Sequence, residues 1–221
     1  MSDAAQKTWQ APVELQAGDP SHGTVRLWFG ENSVAPDGEY YVRGGICWPT
    51  NVELRVVTGF AVVAGLHLAS GTVYVLDERP FVVIDHVLGG DGLIAHHGCA
   101  SWLTRAWAKY RADVFYWHQD ILTAKRYRLQ VIRSANVVPQ PQFAEVAWDD
   151  DDAARLVVLE LEATGRLRYR RESELHNDIL ACGADPEGEH PAMHALTCLC
   201  AGLDRYPCRT QSDWRERAWR A

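Results

Sequence analysis

The chain has 221 residues, 47% of them hydrophobic, and a formal charge of -7. That length buries one sizeable core, and one decorated domain is the economical reading. The acidic balance excludes indiscriminate coating of nucleic acid, which rests on neutralising many phosphates, although it leaves room for a local basic face. Every apolar run is cut by charge, Gly or Pro before it reaches membrane-spanning length, so no membrane partner is expected.

Cys47, Cys99, Cys182, Cys198, Cys200 and Cys208 lack the paired spacing of a disulfide scaffold, and no basic, apolar and small-residue leader stands at the start. Reduced thiols and a cytoplasmic location are expected.

The residues up to position 38 are rich in Pro, Gly, Asp and Ser, with one strand-like run from Thr24 to Gly30; they read as an irregular lead-in that packs on the domain. Three extended segments follow, EYYVRGGICWP, LRVVTGFAVVAGLHL and TVYVLDERPFVVIDHVL, rich in Val, Tyr and Ile and joined by short turns. Antiparallel neighbours are the economical arrangement. GLIAHHGCAS reads as the loop before a helix. In SWLTRAWAKYRA the period changes, because Trp102, Leu103, Ala106, Trp107 and Tyr110 recur at helical spacing. DVFYWHQD is a short strand, LTAKRYRLQVI a helix, ANVVPQ strand-like, and AARLVVLELEATG a helix whose start, Asp149 to Asp152, complements the dipole. After Gly165 come RLRYRR, a helix in SELHNDILACG, a Gly/Pro-rich loop, and a last helix in PAMHALTCLCAGL. The domain is assigned to 39–206, with 207–221 as a basic tail.

Three sheet strands, then alternating helix and strand, predict a mixed α/β sheet with helices on both faces and ligand sites at the carboxyl ends of the central strands. This order resembles the RNase H-like nuclease domain of the large terminase subunit of tailed bacteriophages, which cuts concatemeric DNA during packaging. The resemblance is carried by GGICWP, the hairpin TGFAVVAG and GTVYVLDE, WLTRAWAKYRADVFYWHQD, DDAARLVVLELEATGRLRYRR and HPAMHALTCLCAGL. It implies two Mg²⁺ or Mn²⁺ ions held by acids in the first strand, at the end of the strand after the first long helix, and in the last helix. The corresponding positions are Cys47, the stretch from Trp117 to Asp120, and His194, so only Asp120 supplies a carboxylate. A thiol and an imidazole are poor ligands for a hard ion, and the departures predict cleavage that is weak or lost.

Cys47, His118 and His194 are ligand types that Zn²⁺ accepts, whereas a Cys in a strand and a His on an interior helix face are more often packing residues. His190, His194 and Cys198 form a stripe on one helix with the same two readings. Asp77 and Glu78 end a strand-like stretch, where Glu78 serves either as a metal ligand or as a solvated turn acid. His96 and His97 beside Cys99 suggest a Cys/His nucleophile, for which no orienting third group stands out. Lys125, Arg126 and Arg128 follow the central strand and are the candidate contacts to duplex DNA; Arg166, Arg168, Arg170 and Arg171 form a second cluster. Both clusters equally suit a solvated face paired with surplus acids. No phosphate-binding Gly-rich loop occurs, so a terminase-like role requires a packaging ATPase or other phage protein as partner in the host cytoplasm. The alternative is a protein-binding or assembly module, for which Trp28, Trp148, Trp214 and Trp219 fall outside the expected core.

Overall fold

A computed structural model of the chain describes residues 7–19, 23–48, 56–85, 94–97, 99–118, 142–148, 151–185 and 188–203. Within these lie strands β1 (Glu14–Ala17), β2 (Val25–Trp28), β3 (Gly38–Cys47), β4 (Val56–His67), β5 (Thr72–Asp85), β6 (Ile94–His97), β7 (Val114–His118), β8 (Gln142–Val146) and β9 (Leu167–Arg168). The helices are α1 (Cys99–Tyr110), α2 (Asp151–Ala163), α3 (Glu174–Ala184) and α4 (Pro191–Leu203).

All nine described strands belong to one sheet. β3, β4 and β5 form the expected antiparallel meander, and β4 lines β3 from Tyr40 to Cys47. One edge of β3 is thereby filled. Its other edge is shared end to end: β2 takes Gly38 to Tyr40 antiparallel, and β7 takes Gly44 and Gly45 parallel, opposite Phe115 and Tyr116. β8 continues parallel beyond β7, while β6 and β9 add to β5. The expectation of a mixed α/β domain is met at that level. The lead-in is more ordered than expected, since β1 pairs with β2 and makes it part of the sheet.

β3 is buried from Tyr40 to its end, which explains why it reads as a nearly continuous apolar run instead of alternating. One face, with Tyr40, Val42, Ile46 and Trp48, packs against Trp102, Leu103, Ala106 and Tyr110 of α1. The opposite face, with Tyr41, Cys47, Phe60 and Val62, packs under α2, α3 and α4. Helices therefore cover both faces.

α4 is buried on nearly every side, as a helix this predominantly apolar must be. It rests against the backbone of β3 and β7. A Cβ at Gly45 would overlap the carbonyl of Ala195, and one at Gly202 would overlap the ring of Tyr116, so the two glycines permit this approach. Ser173 caps α3 by accepting from His176 N at 3.2 Å, and Asp178 Oδ2 accepts from Ala192 N at 2.7 Å, so a carboxylate of α3 caps α4.

Two local expectations are corrected. IAHH is strand β6, with His96 and His97 opposite Val83 and Val82, because β5 runs on past Phe81 and offers an edge to pair. Asp77 and Glu78 do not end a strand; they lie inside the 14-residue β5. A bulge there pairs Val63 with Asp77 and Ala64 with Val75, leaving Leu76 as the extra residue. The expected helix LTAKRYRLQVI and strand ANVVPQ lie outside the described residues.

Candidate functional site

The parallel alignment of β3 and β7 sets the site. With Gly45 opposite Tyr116, the same register carried two residues further brings Cys47 level with His118, each the last residue of its strand. α4 crosses these strand ends and contributes His194.

Three of the candidate residues are therefore neighbours. The His118 ring stacks on Trp148 at 4.1 Å between centroids and 28° between planes. His194 stands edge-on to His118 at 5.9 Å and 88°, and lies 5.6 Å from Trp148. Trp148 follows β8, so strand pairing delivers the indole to the imidazoles. All three side chains are half-buried. Beneath them Cys198, one turn after His194, is fully buried, and its thiol is hydrogen-bonded by the backbone of His118.

The thiols here are not activated. Burial first, and then the carboxylates of Asp178 and Glu189, push the Cys47 thiol up to about 12. Burial, followed by Cys47, drives Cys198 well above the ordinary thiol range. Burial alone brings Cys200 to about 12. A nucleophile requires the thiolate, so none of these serves as one at neutral pH. Cys47, Cys182, Cys198 and Cys200 are free and buried.

Glu78 stands elsewhere. Its partner Val62 belongs to the face under α2, α3 and α4, and the bulge turns the carboxylate onto that face, two strands from β3. Burial raises it to about 7, against the opposing effects of a Ser173 hydrogen bond and the Arg170 guanidinium; Glu174 and Asp77 add to the rise. Glu78 thus belongs to the start of α3 and not to the imidazole pair. The stripe of His190, His194 and Cys198 is also divided, because His190 Nε2 bonds Asp185 O at 2.7 Å in the connection between α3 and α4. Arg166 is 9% exposed, which removes it from any surface cluster with Arg168, Arg170 and Arg171. Asp120, Lys125, Arg126 and Arg128 lie outside the described residues.

Sequence reasoning missed Asp178 and Glu189, the two carboxylates that act on Cys47. The only local signal was Glu189 and His190 ahead of Pro191, the first residue of α4, where acids and Pro favour a helix start. From the amino-acid order Trp148 reads only as an aromatic outside the expected core.

Among the described residues no group of three His, Cys, Asp or Glu side chains stands close enough to hold a metal ion. The donors at the strand ends do not suit Mg²⁺ or Mn²⁺: Cys47 is a neutral buried thiol where a hard oxygen would be required, and the other two are imidazoles. No protein-family model matches the chain, and a search of curated proteins finds no match.

Proposed function

We propose that the chain is an RNase H-like module related to the nuclease domain of tailed-phage large terminase subunits, engaging duplex DNA in packaging or processing without cutting it. One observation carries this reading. The strand order β5-β4-β3-β7-β8, with β4 antiparallel to β3 and with β7 and β8 parallel to it, brings Cys47 and His118 to one end of the sheet, where α4 adds His194. Those are three of the positions at which the family resemblance expects metal-binding groups. Two-metal phosphodiester cleavage needs a cluster of hard oxygens, and a protonated Cys47 removes the first of them. The DNA-facing element is the segment with Lys125, Arg126 and Arg128, a separate packaging ATPase or other phage protein is the partner, and the host cytoplasm is the location.

Supercoiled plasmid incubated with Mg²⁺ or Mn²⁺ tests the loss of cleavage. Nicking that a chelator stops would overturn it. Duplex binding in chelator, weakened by substituting Lys125, Arg126 and Arg128 together with a salt slope flatter by up to about three counterions, supports the DNA role. An unchanged affinity and slope in that folded variant would favour a protein-binding module, whose contact surface would include Leu156 and Leu180, 54% and 61% exposed on α2 and α3.

A further inference from the structure

We propose that His118 and His194 together bind one divalent transition-metal ion of the borderline class, Zn²⁺, Ni²⁺, Co²⁺ or Cu²⁺, through their imidazole nitrogens. The inference deepens the reading of the same site but rests on ring geometry, independently of any contact with DNA.

Ring separation is the first support. A metal-bound imidazole nitrogen lies about 2.0–2.1 Å from the ion, and the ring centroid about 1.1 Å further back. Two imidazoles on one ion therefore have centroids about 5.2 Å apart at a tetrahedral angle and at most about 6.4 Å apart. The observed 5.9 Å falls inside that span.

Orientation is the second support. Trp148, stacked on His118 at 4.1 Å and 28°, restrains that ring while leaving both histidines half-buried. The two imidazoles come from a strand end and a helix, elements held in place by the buried contact of α4 with β3 and β7.

Ligand chemistry sets the selectivity. Imidazole suits Zn²⁺, Ni²⁺, Co²⁺ and Cu²⁺ and disfavours Mg²⁺, the hard ion that the strand-end donors fail to match. Among the described residues no third His, Cys, Asp or Glu joins the two imidazoles, so these two side chains alone are assigned to the ion.

The test is calorimetric titration of the full chain, stripped with chelator and dialysed, with Ni²⁺, Zn²⁺ and Co²⁺ chloride, repeated for His118→Gln and His194→Gln. Circular dichroism and thermal melting establish that the variants are folded. His118→Asn and His194→Asn are held in reserve should a Gln variant fail to fold. The expected result is one ion per chain, undisturbed by excess Mg²⁺, with affinity rising from Co²⁺ to Ni²⁺. Loss of a supporting neighbour alone typically weakens a metal site about 10–100-fold, so loss of either imidazole should weaken this one by at least about tenfold. Ni²⁺ should also quench Trp148, so the quenched share of tryptophan emission should disappear in Trp148→Phe. Undiminished affinity in both folded histidine variants, or no saturable binding at millimolar ion, overturns the proposal. Duplex binding measured in chelator is unaffected by either outcome, so failure of the metal site and failure of the DNA reading remain distinct.

Discussion

Substituting Gly45 by Ala tests the contact that builds the site. The new Cβ would point into the Ala195 carbonyl and crowd Leu199, and the obstacle is helix backbone that cannot rotate aside as a flexible side chain would. Overpacking of this kind costs about 1–3 kcal/mol, and a backbone obstacle belongs in the upper half of that range. Replacing Gly lowers the entropy of the unfolded chain and returns about 0.4–1 kcal/mol. The net loss is about 1–2.5 kcal/mol, which for a chain of this size lowers the melting temperature by roughly 2–10 °C. Gly183 is the matched control: it lies in the last turn of α3 with nothing within 4 Å of its added Cβ, so Gly183→Ala should be neutral or stabilise by up to about 1 kcal/mol. Urea unfolding of the two variants beside the parent gives both signs in one experiment. A Gly45→Ala protein as stable as the parent would refute the close packing of α4 on β3.

Glu78 and His67 predict opposite responses to pH. The folded Glu78 carboxyl is raised from 4.5 to about 7, so between those values the folded chain retains a proton that the unfolded chain releases; stability contributed below that window is lost as pH rises through it, and Glu78→Gln should flatten the decline in urea midpoints. Burial lowers His67, which lies 4.9 Å from the Tyr40 ring; the unfolded chain takes up a proton below about 6.5 that the folded chain resists, so stability falls as pH drops below that value. His67→Phe should remove that acid-side loss, and an unchanged acid limb would count against the assignment. Cys47→Asp with His194→Asp introduces carboxylates beside Asp178 and Glu189, so the double variant should melt below the parent and gain more than it from Mg²⁺ or Mn²⁺. Equal gains would mean that the new carboxylates do not share an ion.

The elements most visible in the amino-acid order are those whose own residues carry the whole signal. α1 has an unbroken helical period, and β3 to β5 are dense in β-branched and aromatic residues between short turns. β1 escaped notice because four residues, ELQA, are too short for their alternation to stand out, and the strand is held by its pairing with β2. β6 escaped because two histidines in four residues read as a loop unless the extended β5 is known to offer an edge. At the site, Cys47, His118 and His194 were legible through the order of elements, which fixes which strand ends are adjacent. Trp148, Asp178 and Glu189 were not, since their approach depends on where the ends of β8 and α3 and the start of α4 come to rest. Glu78 went astray for a smaller reason: one extra residue, Leu76, shifts the alternation of β5 and changes the face on which the carboxylate emerges.

The shared edge of β3 bears on how the chain avoids self-association. Arg43, 8% exposed, sits at the joint between the two strands that divide that edge: its Nη1 reaches Val42 O at 2.7 Å and Asp113 Oδ1 at 3.4 Å just ahead of β7, and its Nη2 lies 3.2 Å from where a Cβ on Gly23, just ahead of β2, would stand. Removing residues 1–37 would strip β1 and β2 from the sheet and leave Gly38 to Tyr40 with open backbone donors and acceptors in an apolar strand, a template for pairing between molecules. The mostly exposed ELQA ribbon is thus a sacrificial rim: it takes the outer position so that the central strand does not have to, and trimming it to isolate the site would uncover an apolar edge.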